Sequence, residues 1–321
     1  GGVYNCTNAF FDDLAAAGID VRVMTGDAAR FRYHHAKYAV ADDRAVILTE
    51  NWKPSGTGGA DNRGWGVTVA DQRVAADLAA VFEHDTTWQD TPKWTAVRDE
   101  IDTVEAGAAS GSYPQHHSPL STTAEELTIL TAPGNAEREL VALIDDTDEE
   151  LLVIQPAIGE QSYPLLRAAM RAADRGVDVR ILLSGAWYSE DENEAFAATL
   201  RERAADDNVP LSVRVAGDTD RFGSIHAKGI VADDTAVVGS LNWNNNSAEN
   251  NRELAVAIED AAVADYYRDV FAGDWDAGRG GDDGFGFLPD GDLPTGFVVV
   301  GVAVISGTAL LAKRWLVFTE P

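Results

Sequence analysis

Cysteine is almost absent from this chain of 321 residues: Cys6 stands alone, which excludes an internal disulfide. Lysine is nearly as rare, with five residues, and acidic residues outnumber lysine and arginine by 53 to 25, for a formal net charge of −28. Such a charge argues against a broad basic surface for nucleic acid or anionic lipid. Because lysine is so scarce, a lysine that recurs in a motif is informative.

The acidic residues are distributed along the whole sequence and do not form a tail. This composition is typical of halophilic, haloarchaeal proteins, because strong salt shortens the Debye length to ~3 Å and screens the self-repulsion of the chain. An acidic protein of a low-salt organism is the alternative. In molar salt the argument against polyanionic partners also weakens, since long-range fields are then screened.

Long apolar runs are missing except at residues 293–312, where 20 residues carry no charge. That length matches the ~20 residues that cross a bilayer as a helix, and Lys313 and Arg314 follow directly. Because basic residues tend to stay in the cytoplasm, we expect an extracellular catalytic region, an acidic Gly-rich linker at 278–292, a single transmembrane helix at 293–312 and a cytoplasmic tail at 313–321. A buried core helix is the alternative.

One motif, H-x-K-x4-D, occurs twice, and an Asn-Trp pair follows each copy at the same spacing from its histidine. The first copy supplies His35, Lys37, Asp42 and Asn51. The second copy supplies His226, Lys228, Asp233 and Asn242. A single His-x-Lys would be uninformative, but two copies with matched downstream spacing predict one site that uses both.

The similarity between the two regions extends beyond the motif, at an offset of about 190 residues. Strands alternating with helices predict an α/β fold of two tandem α/β/α units, at 1–105 and 126–277, joined by a linker at 106–125. Only the second unit has leading strands and helices, so we expect an N-terminally truncated first unit; a genuinely short first half is the alternative. We expect the fragment alone to be inactive or to aggregate, because an incomplete sheet exposes an edge.

Each motif copy brings an imidazole and an ammonium group to one spot, because residues two apart along a strand share a face. The asparagines follow the next strand, so we expect their amides at the same place. Lysine and asparagine donors can hold the nonbridging oxygens of a phosphodiester. One imidazole can attack phosphorus, and the other can protonate the leaving oxygen. We expect no metal and no cofactor, since a lysine beside each histidine would repel a cation.

These residues resemble the phospholipase D superfamily, which is defined by paired H-x-K-x4-D motifs. The second copy matches closely, with Gly239-Ser240-Leu241-Asn242 and then Glu253 downstream. The resemblance implies two α/β/α units related by a pseudo-twofold axis, with the active site at their interface. It implies His35 as the nucleophile and His226 as the general acid/base, with Lys37 and Lys228 completing the catalytic set; the sequence itself does not distinguish the two histidines.

The resemblance also implies that the motif aspartates, Asp42 and Asp233, are structural and that Glu253 orients the paired histidine. We expect phosphate-binding or supporting roles for five residues: Asn51, Asn242, Thr49, Ser240 and Glu253. The first copy departs from the family pattern, because Leu48-Thr49-Glu50-Asn51 replaces Gly-Ser-x-Asn, and Asn62 and Gly64 stand near the place of the glutamate. We therefore expect the orienting carboxylate to be missing there, with Glu50 or Asp61 as candidate substitutes.

Three functions remain open. The first, which we favour, is a membrane-anchored phosphodiesterase that acts on phospholipids by hydrolysis or transphosphatidylation through a phosphohistidine. The second is an extracellular nuclease of the same superfamily, which needs a cationic groove that the composition supports poorly. The third is a degenerate surface protein that uses the fold for binding, favoured by the altered first copy.

Overall fold

The computed structural model describes residues 3–59, 61–104, 111–160 and 163–278. The first half of the molecule comprises residues 3–104. Its elements, in chain order, are β1 (Val3–Tyr4), α1 (Asn5–Ala16), β2 (Tyr38–Ala41), β3 (Arg44–Leu48), β4 (Asn62–Arg63), β5 (Gly66–Ala70), α2 (Gln72–Thr86), α3 (Trp94–Val97), a 3₁₀ turn (Arg98–Glu100) and β6 (Thr103–Val104).

The second half comprises residues 111–278 and begins with a stretch, 111–125, that forms neither helix nor strand. Its elements are β7 (Glu126–Ala132), α4 (Ala136–Asp145), β8 (Glu150–Gln155), α5 (Pro164–Arg175), β9 (Asp178–Ser184), α6 (Glu190–Asp207), β10 (Leu211–Ala216), β11 (Ser224–Ile225), β12 (Gly229–Ala232), β13 (Thr235–Gly239), α7 (Asn245–Glu249), β14 (Glu253–Glu259) and α8 (Ala261–Ala277). The predicted unit and linker boundaries stay a prediction.

The large sheet has seven strands in the order β10-β9-β8-β12-β13-β14-β7. Strands β8, β9 and β10 run parallel, whereas β12 pairs with β8 in antiparallel fashion and the strands beyond it alternate in direction. Strand β8 is buried from Leu151 to Gln155, as expected for an apolar strand covered on both faces. The chain is thus a mixed α/β protein with one large sheet, which confirms the α/β part of the predicted fold class; the two tandem α/β/α units stay a prediction.

The first half contributes an antiparallel sheet in the order β2-β3-β5. Its β4 pairs in parallel with β11 of the second half, and His34 forms a parallel bridge with Arg252. The two halves are therefore joined through backbone pairing at two places, and each place lies next to a motif histidine.

Two apolar cores cover the two faces of the large sheet. The neighbours Leu151 and Leu152 on β8 belong to different cores, as alternation along a strand requires. The first core is formed with α4, α5 and α6, and the second contains residues of α8 together with Ile47 and Trp65 of the first half. Because both halves bury apolar side chains in the second core, their contact is stabilised by the hydrophobic effect.

In each half, the helix that directly follows the last strand of the motif region begins at a capping aspartate. Asp71 accepts hydrogen bonds from the N–H groups of Arg73 and Val74 at the start of α2, and Asp260 accepts one from Val263 at the start of α8. Aspartate at this position satisfies N–H groups that lack partners in the first turn. These caps define where the chain leaves the sheet behind each motif.

The structure differs from expectation at the start of the motif strand. Strand β2 begins at Tyr38, so His35 and Lys37 precede the strand and do not lie on it. The backbone of His35 pairs with the other half, since its N–H donates to the carbonyl of Arg252, whereas the carbonyl of Lys37 accepts from Leu48 N of β3.

The predicted transmembrane helix at 293–312 lies outside the described residues, so it stays a prediction. Within residues 3–278, as far as they are described, no helix is both long and apolar enough to span a bilayer.

Candidate active site

The backbones of the two motif histidines are held by the opposite half of the molecule. His35 N donates to the carbonyl oxygen of Arg252 at 2.8 Å, and His226 N donates to that of Arg63 at 3.0 Å. Arg252 follows Asn251 directly and Arg63 follows Asn62, so the two contacts use matched positions. Each half thus positions the histidine of the other.

Each histidine side chain also pairs with a carboxylate of the other half. His35 Nδ1 lies 2.7 Å from Glu253 Oε2, and His226 Nδ1 lies 3.2 Å from Glu50 Oε1. Both carboxylates are buried, with side-chain exposures of 1% for Glu253 and 8% for Glu50. A carboxylate at Nδ1 places the proton there, so Nε2 is left to act as nucleophile or base.

Further donors hold the two carboxylates. Glu253 accepts from Ser240 Oγ at 2.5 Å and from Asn251 Nδ2 at 3.1 Å, and Glu50 accepts from Asn62 Nδ2 at 2.9 Å. Burial opposes the ionisation of both groups, but these hydrogen bonds and the nearby histidines outweigh it and hold the pKa of each carboxyl below its usual range. Both glutamates are therefore ionised near neutral pH.

The expectation that the first motif copy lacks an orienting carboxylate was wrong, because Glu50 makes this contact. The other candidate, Asp61, accepts a hydrogen bond from Ser224 Oγ at 3.0 Å instead. The family pattern did not assign this role to Glu50, because Glu50 lies immediately before Asn51 and not at the downstream position that Glu253 occupies.

The two motif lysines are almost fully buried. Lys37 Nζ donates to the carbonyl of His35 at 2.5 Å, and Lys228 Nζ donates to that of His226 at 2.6 Å. Burial lowers the pKa of Lys37 to about 8 against the opposing charges of two glutamates. Burial and the charge of Lys37 lower the pKa of Lys228 to about 7. Two ammonium groups in one buried place are unfavourable unless an anion joins them.

Burial likewise lowers the pKa of both histidines. For His226, burial and the charge of Lys228 outweigh Glu50 and bring the pKa to about 4. For His35, burial and the charges of both lysines outweigh the hydrogen bond to Glu253. Both imidazoles are thus neutral at pH 7, and because both lysines act on both histidines, the four groups share one site.

Thr49 and Ser240 are fully buried, so they support the site and do not contact substrate. Thr49 Oγ1 accepts from Trp65 N at 2.9 Å and donates to the carbonyl of the same residue. Ser240 Oγ accepts from Leu254 N at 3.0 Å and donates to Glu253. Each hydroxyl therefore stabilises the end of the strand that carries its half of the site.

Asn51 and Asn242 are half-buried, and neither side-chain amide hydrogen-bonds to any residue that the structure describes. Their amides remain available for a phosphate oxygen, as the sequence predicts. This role stays a prediction.

The motif aspartates lie at turns. Asp233 accepts backbone N–H groups of Asp148, Glu149 and Glu150 at 2.8, 3.0 and 2.9 Å, which ties the turn after β12 to the start of β8. Asp42 occupies the matching turn, and both residues have positive φ angles of 55° and 47° for Asp42 and Asp233. The contacts of Asp233 are structural, in agreement with the role that the family resemblance implies.

Two ion pairs behind the histidines were not expected from the sequence. Arg252 Nε lies 2.7 Å from Asp85 Oδ2 of α2, and Arg63 Nε lies 2.8 Å from Asp274 Oδ2 of α8. Each pair links one half to the other. The signal in the sequence was the Asn-Arg dipeptide, which recurs at 62–63 and 251–252.

A family model described as "Cardiolipin synthase, PLD-like domain" matches residues 140–275, a region that contains the complete second motif copy and Glu253. Residues 140–275 therefore belong to the phospholipase D superfamily. Members with this type of fold are phosphodiesterases or transferases. Within the described part of the chain, no group of three or more His, Cys, Asp or Glu side chains is arranged to hold a metal ion.

One solved structure has a similar fold over most of this chain, and two further ones resemble part of it. The phosphatidylserine synthase of Haemophilus influenzae is 16% identical, with 74% of this chain and 61% of that chain covered and a TM-score of 0.51. Nuc of Salmonella typhimurium, a phospholipase D family member, is 20% identical over 48% of this chain and 97% of its own, with a TM-score of 0.37. NucT of Helicobacter pylori is 18% identical over 47% and 96%, with a TM-score of 0.38. No curated protein sequence matches the chain significantly.

Proposed function

We propose that this protein is a phosphodiesterase of the phospholipase D type that cleaves or transfers the headgroup of phospholipids through a phosphohistidine. The observation that carries the proposal is the pair of reciprocal contacts, His35 with Glu253 and His226 with Glu50, beside two buried lysines. Together they offer a nucleophile, a proton donor and cationic support around one phosphorus atom.

In the first step His35 Nε2 attacks phosphorus and the bond from phosphorus to the headgroup oxygen breaks. His226 Nε2–H gives its proton to that oxygen, so that the headgroup leaves as an alcohol. In the second step His226 takes a proton from water or an acceptor alcohol, whose oxygen attacks phosphorus and releases His35. Lys37 and Lys228 stabilise the added negative charge of both five-coordinate transition states.

The role of His226 requires a protonated imidazole, which burial and Lys228 disfavour in the free protein, where the pKa is about 4. A bound phosphodiester carries negative charge and offsets the two ammonium groups, so its binding raises this pKa. Glu50 then stabilises the imidazolium through Nδ1. The His226 imidazole therefore becomes protonated only when substrate is bound.

Phospholipid is favoured over nucleic acid by the surface chemistry. The net charge of −28 disfavours nucleic acid and anionic lipid alike, so the preference rests on exposed aromatic side chains. Exposed Trp187 and Tyr188 are adjacent in the chain, and Tyr188 lies close enough to Asp61 and Glu50 for their charges to affect its pKa. Aromatic side chains of this kind suit the interface between lipid headgroups and acyl chains. The matched family model and the neighbour with a TM-score of 0.51 both carry names from phospholipid synthesis.

A nuclease remains the second candidate, because two of the similar structures are Nuc and NucT. A degenerate binding protein loses its main support, since Glu50 supplies the carboxylate that the first motif copy was expected to lack. The pseudo-twofold pair of units, the membrane helix at 293–312 and an extracellular catalytic region are parts of the same proposal.

The test uses the full chain in strong salt with a chelator, offered labelled phospholipid or DNA. His35→Ala and His226→Ala are each expected to lower turnover of phospholipid by at least ~10²-fold. His116→Ala is the matched control, because this histidine is exposed and lies in the stretch 111–125, away from the two motif histidines. Cleavage of DNA without turnover of lipid would establish the nuclease instead, and no turnover of either would leave a binding protein.

The two histidines are distinguished by trapping the intermediate. Mass spectrometry of protein quenched during turnover, kept at neutral or alkaline pH, is expected to find the phosphatidyl group on His35 and not on His226. A phosphatidyl group on His226 would reverse the two roles and leave the reaction type unchanged.

A further inference from the structure

The position of Glu50 differs from that of Glu253, although both orient a histidine. Residues 64 and 253 match, because each directly precedes the residue whose N–H donates to the motif hydroxyl. Residues 50 and 241 match in the same way, since each directly follows that hydroxyl residue. The two pairs are Glu50 with Gly64 in the first half and Leu241 with Glu253 in the second.

Gly64 leaves the space that Glu50 occupies. A Cβ atom on Gly64 would lie 2.1 Å from Glu50 Cγ and 2.6 Å from Glu50 Oε1, far inside contact distance. The backbone of Gly64 is not in the left-handed region, so space and not conformation excludes a larger residue there. The glycine and the glutamate therefore depend on each other.

The carboxylates of Glu50 and Glu253 share two matched partners. Each accepts from a histidine of the other half and from the amide of a matched asparagine, Asn62 at 2.9 Å or Asn251 at 3.1 Å. The carboxylate thus keeps its place while the chain position that supplies it changes.

We infer that Glu50 and Gly64 are a compensated exchange: the carboxylate that positions His226 has moved from residue 64 to residue 50, and it can be moved back. This inference rests on the proposed function for its activity readout, but the contact itself can be measured without turnover. Glu50 is a positioning residue, which fixes the proton on His226 Nδ1 and leaves Nε2 for the reaction.

The arrangement in the second half shows how the test should be built. Glu50→Leu reproduces Leu241 and removes the carboxylate, and Glu50→Leu/Gly64→Glu reproduces the complete pair of the second half. Gly64→Ala adds the Cβ that collides with Glu50. Gly66→Ala is the matched control, because its added Cβ would meet only the end of the Leu48 side chain at 2.7 Å and carbonyl oxygen of Ile47 at 3.7 Å.

The full chain labelled with ¹⁵N-histidine reports the tautomer of His226 by NMR, and phospholipid turnover is measured alongside. We expect Nδ1–H in the native protein. Glu50→Leu should no longer favour Nδ1–H, and its turnover should fall by at least ~10²-fold. The double variant should regain both the Nδ1–H tautomer and most of the turnover rate. Gly64→Ala should resemble Glu50→Leu, whereas Gly66→Ala should resemble the native protein.

An unchanged tautomer in folded Glu50→Leu, or no recovery in the folded double variant, would overturn the inference. If Glu50→Leu does not fold, Glu50→Met keeps most of the side-chain volume without an oxygen that accepts from Nδ1–H, and undiminished turnover there would count equally against the inference. A tautomer that depends on Glu50 in a chain that turns over no phosphodiester would support the inference and refute the proposed function.

Discussion

Arg252 and Asp85 belong to opposite halves of the molecule and form a buried ion pair, with Arg252 Nε 2.7 Å from Asp85 Oδ2 and side-chain exposures of 10% and 2%. The carbonyl of the same arginine accepts the N–H of His35. His34 and His84 also approach Asp85, each at 3.3 Å. The contact between the halves therefore also determines the position of His35.

Asp85→Asn should destabilise the protein by about 3–5 kcal/mol, because it leaves the charge of Arg252 buried without a partner. The control is Asp145→Asn, which breaks the exposed pair of Asp145 with Arg171 and should cost at most about 1 kcal/mol. Urea unfolding of the full chain measures both. Equal costs would show that the buried pair is not needed to hold the halves together.

Trp243 and Trp52 occupy the same position after the two motif copies but have opposite surroundings. Trp243 is 1% exposed, whereas Trp52 is 63% exposed. Trp243→Ala should cost about 3–5 kcal/mol of stability through lost burial and a cavity, and Trp52→Ala should change it by at most about 0.5 kcal/mol. A large loss for Trp52→Ala in urea unfolding would show that another surface covers this tryptophan.

Binding of an anion at the site should take up protons. Lys228 and Lys37 have pKa values of about 7 and 8, so both are partly neutral at about pH 8, and a bound anion favours their charged forms. The affinity for inorganic phosphate or tungstate should therefore fall as the pH rises through this range. Calorimetry in two buffers of different ionisation enthalpy measures the proton uptake.

Lys228→Ala should reduce that uptake, and Lys93→Ala is the control because Lys93 is exposed and pairs with Asp20. Proton release on binding, or none at all, would contradict the buried and mutually repelling state of the two motif lysines.

A comparison of Ser240→Ala with Thr49→Val distinguishes the stability that each buried hydroxyl provides from the contact that Ser240 makes with the carboxylate of Glu253. Each removes the acceptor for one buried backbone N–H, of Leu254 or Trp65, and should cost about 1–3 kcal/mol of stability. Only Ser240 also donates to Glu253, so Ser240→Ala should lose more turnover than Thr49→Val. Urea unfolding and phospholipid turnover are compared for both. A greater loss in Thr49→Val would mean that the contact of Ser240 with Glu253 does not matter.

Short segments of the sequence were enough to predict local strands and helix starts. Strand β8 appears in the sequence as an apolar run at 151–155 and in the structure as Glu150–Gln155, and the capping aspartates Asp71 and Asp260 mark the starts of α2 and α8. Capping and burial on both faces act over a few residues. A repeated sequence did not guarantee equal structure. The tripeptide Val-Arg-Val occurs at 21–23 and at 213–215, but only the second copy lies in a strand of the described chain, β10.

The sequence by itself determined the chemical set: two histidines, two lysines and two asparagines in matched motifs, on an α/β chain of the phospholipase D superfamily. Only the tertiary structure decided that Glu50 serves His226, that Glu253 serves His35, and that the arginines cross between the halves. The partners in the two histidine contacts are 176 and 218 residues apart. Contacts of such separation depend on how the two halves pack, and on a glycine that leaves room at one position, so no local pattern encodes them.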